Sequence, residues 1–200
     1  MMGKFNFIHI PKCGGTTLAR IFKNIYGDKF IQAGSEKEKN SGWKSADVLM
    51  GHYNWKFYNH LPLVTFLRHP VERVISHWNY KIIRSRASTY PSTQKIFSKK
   101  HKFELLEFAE MTPNIMCSYI EDGWESFIYI GFTENYDKSL HSMGKIFNFQ
   151  PPLKYKKYRV SSLKREKIYT TEEYQTILEL NEKDMELYTE VQKKWNYETF

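Results

Sequence analysis

The segment FNFIHIPKCGGTTL, residues 5–18, constrains the fold more than any other stretch of the chain. Residues 5–10 form a short apolar run of β-formers and read as a buried strand. Residues 11–15 make a turn around two adjacent glycines. From Thr16 onward, Leu18, Ile21, Phe22 and Ile25 recur at i, i+3, i+4 and i+7, the period of a helix that Gly27 can stop. A buried strand that enters a helix through a glycine turn is the opening unit of an α/β fold.

The rest of the chain repeats that alternation. Residues 46–51 (ADVLMG) predict a second strand, with His52 just past its end. Leu63–Leu67 (LVTFL) predicts a third, followed by Arg68-His69-Pro70. Pro70 suits the first turn of a helix, and Val71, Val74, Ile75, Trp78 and Ile82 give that helix an apolar stripe. Phe127–Phe132 (FIYIGF) predicts a fourth strand. Short helices are expected over 103–110 and 114–120, and a longer one over 134–147. Thr170 and Glu173 have the spacing of a capping box for a C-terminal helix, and another helix should span 182–195. Residues 28–45 read as a surface loop, 84–101 as an exposed excursion, and 151–167 as a long basic loop of the kind that tends to be functional or disordered. These signals predict an α/β fold with a mainly parallel central sheet flanked by helices. The 200 residues suit one domain, 1–200.

Composition narrows the partners. The formal net charge of +8 favours anionic ligands without choosing among nucleotides, nucleic acid, acidic glycans and membranes. The 14 Tyr, 14 Phe and 5 Trp can fill a core, and some such rings line pockets for rings and sugars. Two cysteines, Cys13 and Cys117, are too few for a disulfide framework and lack metal-ligand spacing, so no metal is expected. No run approaches the ~20 apolar residues that span a bilayer, and no signal-peptide pattern precedes the first strand. A soluble, cytoplasmic protein is expected. Oligomeric state is left open.

Two loops carry the chemistry. In the first, Pro11-Lys12-Cys13-Gly14-Gly15-Thr16-Thr17-Leu18, the glycines let backbone N–H groups close around an anion. The following helix adds the positive end of its dipole. Thr16 and Thr17 add hydroxyls, and Lys12 adds a charge. A phosphate is the natural guest, although a tight turn with an exposed lysine would read the same way. The lysine precedes the glycines, so this is not the Gly-Lys-Ser/Thr order of ATP- and GTP-binding loops. In the second loop, Arg68 ends a strand and Ser76 lies about two helical turns on. Arginine grips phosphate in a two-pronged contact that a serine hydroxyl can supplement. Two anion sites on two strand–helix turns suit a nucleotide phosphorylated at both 5′ and 3′ positions.

The segments FIHIPKCGGTTL and FLRHPVERVISHW resemble, in order and spacing, the 5′-phosphosulfate and 3′-phosphate motifs of sulfotransferases that use 3′-phosphoadenosine 5′-phosphosulfate (PAPS). The nearest branch is the carbohydrate enzymes that include the heparan and uronyl 2-O-sulfotransferases. NIMCSYI (114–120), YIGFTENYDKSL (129–140) and NEKDMELY (181–188) resemble later segments of that family. Cys13 stands where the family commonly has threonine, and His69 where it has aspartate or asparagine.

The resemblance implies a P-loop-like sulfotransferase fold. It also implies transfer of a sulfuryl group from PAPS to an acceptor hydroxyl, leaving adenosine 3′,5′-bisphosphate and requiring no metal. On that reading Lys12 stabilises the leaving oxygen, while Pro11, Cys13, Gly14, Gly15, Thr16, Thr17 and Leu18 wrap the 5′-phosphate. Arg68 and Ser76 hold the 3′-phosphate, and Arg159 and Ser161 belong to a late loop that closes over the nucleotide. His52, in Met50-Gly51-His52-Tyr53, matches the glycine–histidine motif that supplies the general base. His9 reads as a core histidine. The implied acceptor is a carbohydrate or another hydroxyl compound, with Trp43, Tyr53 and Trp55 near the base. Other readings are a nucleotide-dependent phosphotransferase, a nucleic-acid-binding module and an inactive glycan-binding relative. The chain has no helix-turn-helix, zinc-finger or RNA-binding pattern, and nucleic acid is not an expected partner.

Overall fold

The computed structural model describes residues 2–33, 43, 45–57, 60–87, 104–156 and 169–195. The strands are β1 (Phe5–Ile8), β2 (Phe30–Ala33), β3 (Val48–Gly51), β4 (Leu63–Leu67) and β5 (Phe127–Phe132). The α-helices are α1 (Gly15–Tyr26), α2 (Pro70–Ala87), α3 (Leu105–Glu110), α4 (Ile115–Ile120), α5 (Tyr136–Phe147), α6 (Thr171–Leu180) and α7 (Glu182–Lys194). The strands form one sheet in the order β2-β3-β1-β4-β5, and every pairing is parallel.

Parallel strands buried on both faces read as continuous apolar runs, and β1, β3 and β4 are buried at every position. Phe5 of β1 meets Phe22 and Tyr26 of α1 and Phe147 of α5, with ring centroids 4.7–5.9 Å apart. These contacts bury large apolar area and fix how α1 and α5 lie on one face of the sheet. A second apolar cluster joins Val71, Val74 and Ile75 of α2 to Leu105, Phe108 and Ala109 of α3 and Ile177 of α6.

A buried polar network ties the helices together. The Arg73 guanidinium and the Asp184 carboxylate are fully buried, with Arg73 Nε 3.8 Å from Asp184 Oδ2. Arg73 Nη2 also donates to the Thr112 carbonyl at 3.2 Å. Asp184 accepts from the N–H groups of Met116 and Cys117 at 3.0 and 2.8 Å, so one carboxylate satisfies orphan donors of the first turn of α4. Asn114 Oδ1 accepts from the Asp184 N–H, and the Asn114 N–H donates to Asn181 Oδ1, both at 3.1 Å. The motif residues Asn114, Asn181 and Asp184 therefore fasten α7 to the turn before α4.

Phe30–Ala33 forms an edge strand within the segment that reads as a surface loop. Its four residues carry a single polar outward position, Gln32, too little for a pattern to register. Helix α2 continues to Ala87, past the start of the expected excursion; residues 88–101 lie outside the described ones. Thr170 and Glu173 form the expected capping box, with bonds of 3.1 and 2.6 Å. Among the described residues, no helix is long and apolar enough to cross a membrane.

Removing one partner of a buried pair leaves the other charge without compensation. Asp184→Ala should therefore lower the unfolding free energy by about 3–5 kcal/mol. Lys4→Ala, which breaks the solvent-facing Lys4–Asp47 pair, should change it by less than about 1 kcal/mol. Urea denaturation of the two variants checks the contrast.

Candidate functional site

The topology brings three loops to one end of the sheet. In register, Ile8 of β1 lies beside Gly51 of β3 and Thr65 of β4. The chain leaves these strands at His9, His52 and Arg68, all at the carboxyl edge. Between β1 and β4 the connections run to opposite sides of the sheet, the switch point at which open α/β sheets bind ligands.

The first loop is built around two unusual backbones. Lys12 has φ +72° and Gly14 φ +79°, both in the left-handed region. Gly14 adopts it freely. In Lys12 it costs about 1–3 kcal/mol, and such strain gathers at functional sites. The two glycines have different reasons to be glycine. A Cβ on Gly14 would strike the Tyr136 ring, and one on Gly15 would strike the His9 imidazole. No side chain caps α1, whose N-terminal N–H groups face the loop that Lys12 enters. Thr17 is buried and Thr16 half-buried. Cys13 is buried, and burial pushes its thiol pKa up to about 12, so it stays protonated and is no nucleophile.

Lys12 Nζ sits 4.3 Å from the centre of the Tyr80 ring on α2. A cation over an aromatic face is held by about 0.5–2 kcal/mol. Arg68 joins the two loops: Nη1 donates to the Lys12 carbonyl at 3.4 Å, and Nη2 pairs with Glu72 Oε2 at 3.2 Å. Ser76 is half-buried on α2 within the same helical run as Glu72 and Tyr80.

The segment before and into α5 braces both loops. Glu134 Oε1 accepts from the His69 N–H at 2.8 Å, at the start of α2. The Tyr136 hydroxyl donates to the Gly14 carbonyl at 3.0 Å. Tyr136 also packs against Phe66 of β4, with ring centroids 5.5 Å apart. The sequence holds both residues in its FTENYD stretch, but nothing in their spacing from residue 14 or residue 69 announces the contact.

His52 is half-buried beyond β3, and its ring stacks on His9 at 4.1 Å between centroids and 25° between planes. Burial lowers its pKa, and an interaction with the His9 backbone pulls the other way. His9 is buried, as expected of a core histidine. Trp43 and Tyr53 are core rings, 1% and 3% exposed, and the Tyr53 hydroxyl donates to Asn6 Oδ1 at 2.6 Å. Trp55 packs over Gly123. Burial of Trp43 and Tyr53 removes them as surface platforms for a sugar. Arg159 and Ser161 lie outside the described residues.

A profile of the sulfotransferase family matches residues 3–135, two thirds of the chain, including both glycine- and arginine-bearing loops and His52. The chain belongs to the sulfotransferase family. Among solved structures, this sulfotransferase is similar to mouse sulfotransferase SULT7A1 in its crystal structure complexed with PAP. The TM-score is 0.51 at 10% identity, over 92% of this chain and 84% of that one. At that identity the likeness concerns the fold, which is the expected α/β sulfotransferase architecture. No curated protein matches the sequence.

In this sulfotransferase, His77 of α2 lies edge-on to Phe108, with centroids 5.1 Å apart. Burial, then the charges of Arg73, Lys81 and Lys12, push its pKa down from 6.5 to about 3. Between those values the unfolded chain binds a proton that the folded chain refuses. The stability that His77 supplies is full above pH 6.5 and is lost as pH falls toward 3. In proton NMR, the His77 ring should show no titration step between pH 8 and 5. In urea melts, His77→Gln should lose less stability than the parent over pH 6.5–4. A His77 midpoint near 6.5 would contradict this.

Proposed function

We propose that the protein transfers a sulfuryl group from PAPS to an acceptor hydroxyl, with Lys12, Arg68 and His52 as the principal polar groups. The observation that carries the reading is the meeting of three strand ends. A glycine loop with a strained lysine, an arginine hydrogen-bonded to that lysine's carbonyl, and a half-buried histidine share one edge of the sheet. The site's chemistry suits the donor: an uncapped helix start, a left-handed glycine and two cations favour phosphate groups.

When bound, PAPS supplies an activated sulfuryl group. The N–H groups of Gly14, Gly15 and Thr16 and the hydroxyls of Thr16 and Thr17 surround the 5′-phosphate, with Pro11, Cys13 and Leu18 shaping the loop. Lys12 Nζ neutralises the charge that develops on the leaving phosphate oxygen. Arg68 and Ser76 take the 3′-phosphate, and Glu72 holds the Arg68 fork in aim. His52, kept neutral by burial, accepts the acceptor's hydroxyl proton as the new sulfur–oxygen bond forms and the old one breaks. Most of the acceleration then comes from placement and charge rather than covalent catalysis. A carbohydrate is the acceptor class we favour. The support is the likeness of Met50-Gly51-His52-Tyr53 and the two donor loops to the 2-O-sulfotransferases.

Radiolabelled sulfate transfer from PAPS onto desulfated heparin, chondroitin, a sterol and simple alcohols tests both halves of the reading. The expected label goes to a glycan; label only on lipid or alcohol would keep the reaction and discard the acceptor. Adenosine 3′,5′-bisphosphate at a hundredfold excess over its Kd should stabilise the protein by about 2.7 kcal/mol. In a chain of this size that raises the melting temperature by roughly 5–10 °C. A shift with ATP–Mg²⁺ and none with the bisphosphate would point to a phosphotransferase instead. His52→Ala should lower turnover about 10²–10⁴-fold while leaving the bisphosphate shift intact. Retained turnover would remove His52 as the base.

A further inference from the structure

A histidine that accepts a proton must present one ring nitrogen at a fixed angle. Proteins commonly fix that angle with a hydrogen bond that the other ring nitrogen donates, often to a carboxylate or a carbonyl. In His52 the nitrogen buried in the protein is Nδ1, which makes no hydrogen bond of ordinary geometry among the described residues, although the side chain interacts with the His9 backbone. The face of the ring needs a restraint of its own.

The contact on its face supplies one. The His9 imidazole lies 4.1 Å away, tilted by 25°. His9 is held on two sides. Its backbone N–H donates to the Gly51 carbonyl at 2.8 Å, one residue before His52. Its ring lies against Gly15, so closely that a Cβ there would overlap Nε2 and Cδ2. The His9 ring therefore fills the space between the glycine turn of the first loop and the His52 ring. His52 cannot rotate about its side-chain bonds without breaking the stack, and His9 cannot withdraw without entering the turn.

We infer that His9 is a positioning residue whose imidazole face fixes the orientation of His52, with Gly15 keeping that face in place. The inference rests on the reading of His52 as general base for its meaning in catalysis, but the positioning itself is a separate physical claim. It gives Gly15 a role beyond the phosphate loop, because the same residue that borders the donor site sets the support of the base. It also explains why His9, with no place in the transfer step, sits at the carboxyl end of the central strand rather than an aliphatic residue: a flat ring offers the stacking surface that a branched aliphatic chain does not.

The test uses the full chain with histidine side chains followed by long-range proton–nitrogen NMR, free and with adenosine 3′,5′-bisphosphate. In the parent protein the His52 ring protons should lie upfield of free imidazole, shifted by the His9 ring. In His9→Gln, which keeps polarity and loses the ring, they should move downfield to the free-imidazole positions. His9→Phe, which keeps an aromatic face and no titratable nitrogen, should restore the upfield shift. Melting temperatures and bisphosphate binding identify variants that remain folded; if His9→Gln does not fold, His9→Phe against the parent decides. Unchanged His52 resonances in folded His9→Gln overturn the inference, as does loss of the upfield shift in folded His9→Phe. Neither result depends on whether His52→Ala retains turnover, so the positioning and the base assignment can fail separately.

Discussion

The parallel placement of β1 between β3 and β4 is the constraint on which the site depends. Because all three strands run the same way and are in register at Ile8, Gly51 and Thr65, their following residues emerge together. His9, His52 and Arg68 come from chain positions far apart, yet the ladder hydrogen bonds fix them as neighbours. A crossover helix is needed between parallel strands, and α1 supplies it directly after the glycine turn. The turn that makes the topology possible is thus the turn that can hold an anion.

Around that edge, contacts from neighbouring elements hold the loops. Tyr136 grips the Gly14 carbonyl, Glu134 grips the His69 N–H, and Arg68 spans from the Lys12 carbonyl to Glu72. The strain in Lys12 is offset by these neighbours and by Tyr80 beneath its ammonium. Below α2, the buried Arg73–Asp184 pair and its asparagine partners fasten the helix that carries Ser76 and Tyr80 to α7. Groups held in place before the ligand arrives need little reorganisation during reaction, the condition under which fixed charges contribute most to rate.

Much of this was legible in the sequence, for physical reasons. Buried strands advertise themselves by unbroken apolar runs, so β1, β4 and β5 are plain, and the turn into α1 is marked by two adjacent glycines, of which Gly14 takes the left-handed conformation. The order of lysine before glycine separates this loop from ATP-binding ones. What the sequence concealed is contact between distant segments. Tyr136 and Gly14 lie on different elements, and no spacing rule connects them. His9 reads as a core residue and is one, but its stacking on His52 depends on the β1–β3 register. The aromatic residues near His52 mislead in the opposite direction: Trp43 and Tyr53 suggest a sugar platform, yet their rings complete the core. Strand β2 is hidden because a four-residue edge strand has too few positions to show a period.

The central claim is that one site, shared by the Lys12 loop and the Arg68 loop, recognises a nucleotide by phosphates at both ends. Calorimetric titration of the parent protein and Arg68→Ala with adenosine 3′,5′-bisphosphate and with adenosine 5′-phosphate measures that directly as a thermodynamic cycle. The account predicts that the parent binds the bisphosphate at least about tenfold more tightly, a difference of about 1.4 kcal/mol, and that Arg68→Ala abolishes most of this preference. Equal affinity of the parent for the two nucleotides, or a preference undiminished in Arg68→Ala, would contradict it.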